Sequence, residues 1–143
     1  MARVPEQASE RPATASGPGR VLVAVYAIFA VAATSRAAVQ IATRFDEAPV
    51  PYVLSAFAAV VYLLATFALA RTGILWWRIA LVACSVELAG VLVVGTLSVF
   101  DQAAFPDAAV WSNYGMGYLF IPLVLPVIGL LWLRRTAPTR TPR

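Results

Sequence analysis

The chain has 143 residues, 61% of them hydrophobic and 13% charged, with a net charge of +4 and a mean hydropathy of +0.79. Soluble domains carry about 25% charged residues, so this is the composition of a membrane protein, and these residues leave no room for a separate soluble catalytic domain. There is no histidine, which removes the commonest general base and metal ligand, and the lone cysteine, Cys84, excludes an intramolecular disulfide.

Residues 1–20 combine Pro5, Pro12, Pro18, Gly17 and Gly19 with scattered charge. They hold too little apolar surface to offset the entropy of ordering and are expected to form a disordered cytoplasmic tail. Four apolar runs follow, predicting transmembrane helices at about 21–43, 52–70, 74–100 and 111–133 within one domain, 21–133. Each approaches the roughly 20 residues needed to cross a hydrocarbon core of about 30 Å, the first only if Arg36 is tolerated within it. Nothing alternates as barrel strands would. Residues 134–143 are expected to form a basic cytoplasmic tail.

All basic residues are arginine, which points to a GC-rich genome. Their placement sets the orientation. The tails hold Arg3, Arg11, Arg20, Arg134, Arg135, Arg140 and Arg143, and the second connection adds Arg71 and Arg78. The first connection pairs Arg44 with Asp46 and Glu47, and the third carries only Asp101 and Asp107. The positive-inside rule puts both termini in the cytoplasm, as an even number of spans requires. Ala30-Val31-Ala32 has the pattern of a signal-peptide cleavage site. Cleavage there is disfavoured, because it would leave three spans and put the arginine-rich C-terminus at odds with an outside N-terminus.

Two charges lie deep in the runs. Arg36 is about 24 Å past Arg20, and Glu87 about 20 Å past Ile74, at 1.5 Å per helical residue. Each alone costs about 2.5–3.5 kcal/mol at a helix centre, so an interhelical Arg36–Glu87 ion pair is expected. Ala33, Arg36, Gln40 and Thr43 share one stripe of the first helix, and Ala80, Cys84, Glu87 and Val91 one of the third. With Ser55, Ala59, Tyr62 and Thr66 on the second helix, they outline a membrane-embedded polar site of Arg36, Gln40, Tyr62, Cys84 and Glu87. Two other readings stand beside the structural latch: Glu87 as the protonatable group of a proton- or cation-coupled transporter, and Arg36 snorkelling to the outer interface.

In the fourth run, Pro122 and Pro126 share a face and are expected to kink the helix. Trp76, Trp77, Trp111, Trp132, Arg134 and Arg135 are expected interfacial anchors. Asp101 and Asp107 read as a solvated acidic rim and not as a metal site. No cofactor and no nucleic acid is expected. The expected partners are the bilayer, anionic lipid at the cytoplasmic face, and a second copy or another membrane protein.

The stretches "GPGRVLVAVYAIFAVAATSRAAVQIATRF", "VELAGVLVVGTLS" and "FPDAAVWSNYGMGYLFIPLVLPVIGLLWLRR" together resemble the small four-helix integral membrane proteins of unknown function found in high-GC actinobacteria. The resemblance implies a four-span cell-membrane protein and no activity. Small multidrug-resistance transporters share the size and helix count, but their essential glutamate lies in the first helix, whereas Glu87 lies in the third. The expectation is therefore an all-α transmembrane four-helix bundle, N-in/C-in, in the cell membrane. It would be a non-enzymatic accessory or assembly component, with a transporter using Glu87 as the alternative.

Overall fold

A computed structural model describes residues 17–137, which are helical throughout apart from short connections and contain no strand. Most of the expected tails, 1–16 and 138–143, lie outside the described residues. Gly17 to Arg20, expected in the tail, instead form the first turn of α1, Gly17–Arg44. Pro18 is tolerated there because first-turn amides have no intrahelical acceptor.

A 3-10 turn, Phe45–Glu47, leads to α2, Pro49–Leu69, which begins earlier than expected. Pro49 and Pro51 need no donor in the first turn, and Ala48 before them is extended, with φ −156°. Gly73 then reverses the chain at φ 110°, a conformation that suits glycine, and α3 runs Ile74–Phe100.

The fourth segment departs most from expectation. In place of one helix over 111–133 there are a 3-10 turn, Gln102–Ala104, an irregular 3-10 stretch, Ser112–Tyr118, and a shorter helix, α4, Ile121–Arg135. The stretch and α4 meet at 97°. Asn113, Tyr114, Leu119 and Phe120 are left-handed, with φ of 51°, 61°, 60° and 60°. Each such residue costs about 1–2 kcal/mol against a right-handed one. Pro122 lies in the first turn of α4, where its missing N–H costs nothing, so only Pro126 interrupts the helix interior. The expected two-proline kink is thus a helix start and a single interior proline.

Among the described residues, three helices are long and apolar enough to cross a membrane, or four if the bent pair counts as one span. They pack in chain order, α1 on α2, α2 on α3 and α3 on α4, while α1 and α4 meet only sparsely. The outside is apolar, with Ile28, Val31, Phe67, Val82 and Leu131 exposed. The inside is lined by alanines such as Ala58, Ala65 and Ala80 together with Ser55, Tyr62, Cys84 and Glu87, all 0% exposed. Small residues let the helices approach closely, as suits surroundings where dispersion and hydrogen bonding drive association.

Residues 108–118 fold into the end of the bundle away from the termini and close it as a plug. Trp111, expected at the interface, is instead 1% exposed within the bundle. Its ring lies edge-on to Phe57 and Tyr62 and rests on the bare backbone of Gly90. Trp76, Trp77 and Trp132 are half-buried at the terminus-bearing end, where Arg134 and Arg135 are exposed.

A Cβ at residue 90 would collide with the Trp111 ring. Gly90→Ala is therefore expected to lower stability by about 1–3 kcal/mol through overpacking. Red-shifted tryptophan emission and a reduced melting temperature would report it; unchanged emission would show that Trp111 does not seat on Gly90.

Candidate functional site

The interior polar cluster is built from three helices. On α3, Ala80, Cys84, Glu87 and Val91 form a fully buried stripe, and Glu87 is 0% exposed. From α1, the Tyr26 hydroxyl donates to Glu87 Oε1 at 2.7 Å and lies 3.4 Å from Cys84 Sγ. Since the hydroxyl proton goes to Glu87, the thiol is the donor to the hydroxyl oxygen, giving a chain Cys84–Tyr26–Glu87. α4 contributes Gly129, where a Cβ would lie 2.9 Å from Cys84 Sγ and 3.2 Å from the Tyr26 oxygen. A side chain there would push α4 off the cluster. Glu87 Oε2 has no hydrogen-bond partner among the described residues.

Aromatic rings connect this cluster to the plug. Tyr26 lies 6.4 Å from Tyr62, and Tyr62 lies 6.4 Å from Trp111, centroid to centroid. Trp111 Nε1 donates to the Tyr62 hydroxyl at 2.9 Å. Glu87, Tyr26, Tyr62 and Trp111 thus form a continuous column from the bundle centre to the plug.

The Arg36–Glu87 ion pair expected from the sequence is not formed. Arg36 Nη1 donates to the Tyr118 hydroxyl at 2.9 Å and Nη2 to the Ala108 carbonyl at 3.4 Å, with the guanidinium over the Tyr118 ring. The depth comparison failed because it measured both charges from assumed helix starts. Within α1, Arg36 lies ten residues beyond Tyr26, the residue that meets Glu87, and this is about 15 Å along the axis. Arg36 holds the plug instead. Gln40, one turn further on, is buried with Oε1 unpartnered, while Thr43 is exposed and bonds its own helix at Val39.

Side chains of the long helices satisfy the plug's backbone. Ser55 Oγ accepts from Val110 N–H at 3.1 Å, and Ser98 Oγ accepts from Asn113 N–H at 2.8 Å. Tyr52 donates to Asp107 Oδ2 at 2.8 Å, and Tyr114 and Thr96 hydroxyls lie 2.9 Å apart. The Tyr52 hydroxyl and the Ala108 N–H, helped more weakly by the charges of Arg36 and Arg44, hold the Asp107 carboxyl below the usual carboxylate range against the opposing effect of burial.

At the other end, Trp77 Nε1 donates to the Leu133 carbonyl at 3.0 Å, and Arg71 stacks over Trp76. Among the described residues, no group of three or more His, Cys, Asp or Glu could hold a metal ion.

Tyr26 and Ser98 were not singled out from sequence, and Ser55 was read only as part of the second helix's inward stripe. Tyr26 had a signal: it is the one hydroxyl-bearing aromatic in the first apolar run, four residues from Leu22 and from Ala30 along a helical stripe. No family model matches the chain, and no curated protein or solved structure matches it.

Arg36→Gln is expected to loosen the plug at a cost of about 1–3 kcal/mol, the range for hydrogen bonds to charged groups. Faster amide exchange at 108–118 would report it. Combined with Glu87→Gln, its effect should add; recovery of stability in the double variant would restore the ion pair. Asp107 gives a pH dependence. A depressed folded-state pKa contributes stability above the unfolded value that is lost as pH falls through the folded one. Melting temperature should therefore drop on acidification more in the wild type than in Asp107→Asn, and parallel curves would sink this assignment.

Proposed function

We propose that the protein is a small, non-enzymatic, multi-pass protein of the cell membrane with both termini in the cytoplasm, moving protons or a proton-coupled cation by way of Glu87. The observation that carries this reading is the setting of the Glu87 carboxyl. It is fully buried, and among the described residues its one donor is the neutral Tyr26 hydroxyl and its second oxygen is bare. An ionised carboxylate so placed is expensive unless paired or solvated, whereas a neutral carboxylic acid costs far less. Glu87 can hold a proton while sealed and release it when water or a cation reaches it. In this reading the route follows the column from Tyr26 through Tyr62 to Trp111, with the Trp111 plug as its gate. Broken helical segments beside a buried polar site are a recurrent transporter device.

Membrane placement is supported by three long apolar helices and the apolar exterior. Orientation is supported by charge. Arg20, Arg71, Arg78, Arg134 and Arg135 lie toward the terminus-bearing end, and Asp46, Glu47, Asp101 and Asp107 at the other.

A second reading, an accessory or assembly component, is favoured by the closure of the bundle around Glu87. One experiment separates the two. Purified protein in vesicles carrying a pH-sensitive dye would be compared with Glu87→Gln, which mimics the neutral acid and should keep wild-type stability. Flux in the wild type and none in Glu87→Gln supports transport. No flux with any tested cation, together with a large loss of stability in Glu87→Gln, assigns the carboxyl to structure.

A further inference from the structure

An apolar groove of about 390 Å³ lies on the outside of the bundle between α2 and α3, reaching from Arg78 at one end to Phe57 beside Trp111 at the other. Phe57, Val60 and Leu64 line it from α2, and Val82 and Val86 from α3. Arg78 also lines it and is its only charged lining residue. Arg78 is four residues into α3, about 6 Å from its first residue, and Val82 and Val86 follow on successive turns of the same face. The groove therefore has a cation near one mouth and aliphatic walls running away from it along the helix axis. Trp76 and Trp77, just before Arg78, mark the level at which apolar and polar surroundings meet.

No described acidic residue lies at this end. Asp46, Glu47, Asp101 and Asp107 sit at the opposite end, and Glu87 is buried against Tyr26. Arg78 is exposed with no described acid beside it, so its guanidinium is open to an anion from outside the described chain, and the groove beside it suits an aliphatic tail. We propose that the groove binds an anionic phospholipid, one acyl chain along Val60, Val82 and Val86 and the phosphate on the Arg78 guanidinium. A second copy fits less well. A two-fold axis along the helices would bring two Arg78 side chains to the same depth across the interface, with no acid between them. The inference shares with the proposed function only the placement in a bilayer.

The test is native mass spectrometry of the full chain released from detergent, titrated with phosphatidylglycerol or phosphatidylcholine. Wild type should retain one phosphatidylglycerol with about fivefold preference over phosphatidylcholine, the scale of one arginine at an anionic surface. Arg78→Gln, at an exposed position, should bring the two lipids to parity. Val60→Trp, at the exposed rim, should weaken both. Equal retention by the wild type, or a preference that survives Arg78→Gln, overturns the proposal. Dimers in place of lipid-bound monomers would assign the groove to a second copy and also overturn it. Proton flux should be unchanged in Arg78→Gln, so failure here and failure of the transport reading are distinguishable.

Discussion

A carboxyl sealed inside an apolar bundle must be satisfied by whatever the neighbouring helices bring within hydrogen-bonding distance. At Glu87 that is one hydroxyl, from Tyr26, at 2.7 Å. The contact fixes the register of α1 against α3, and Gly129 lets α4 close on the same point. The Tyr26 hydroxyl has the Cys84 thiol as a second, weaker neighbour, whereas the carboxyl has this one donor among the described residues, so the cluster constrains three helices. It also explains why Arg36 is free for work elsewhere. Glu87 is served by a neutral donor, and the guanidinium turns to the plug, where a carbonyl and a hydroxyl await it.

The plug obeys the same constraint from the backbone side. Irregular chain within a bundle leaves amides and carbonyls without helical partners, and such chain is tolerated only where protein satisfies them. Ser55 and Ser98, on α2 and α3, accept the Val110 and Asn113 amides. The left-handed residues that turn the chain into α4 persist because these bonds, the Trp111 seat and the Arg36 contacts together outweigh their cost.

Much of the fold was legible in the sequence. Apolar run length located α1, α2 and α3, and the Ala80–Cys84–Glu87–Val91 stripe predicted which face of α3 turns inward. Residues near helix starts misled. Pro49, Pro51 and Pro122 all occupy first turns, where proline extends a helix back toward its start and does not kink it. The plug was missed because no charge interrupts "AAVWSNYGMGY" or the apolar run after it, while the turn signal resides in Asn113, Gly115 and Gly117. Composition could not show that Trp111 folds inward, since a tryptophan near the end of an apolar run has the same signature in either place. The partner of Glu87 was missed for a related reason. Searching for opposite charge found Arg36, whereas a buried acid that can hold its proton needs only a hydroxyl.

The brevity of α4 has a further physical consequence. At 15 residues it spans about 22 Å, against about 42 Å for the 28 residues of α1. In the proposed bilayer, one side of the molecule would match or exceed the roughly 30 Å hydrocarbon thickness and the other would fall short. Lipid beside α4 would have to thin while lipid beside α1 would not, making the protein a wedge in membrane thickness. Such a shape favours thinner membrane regions, or a neighbour whose own short helix shares the thinned patch.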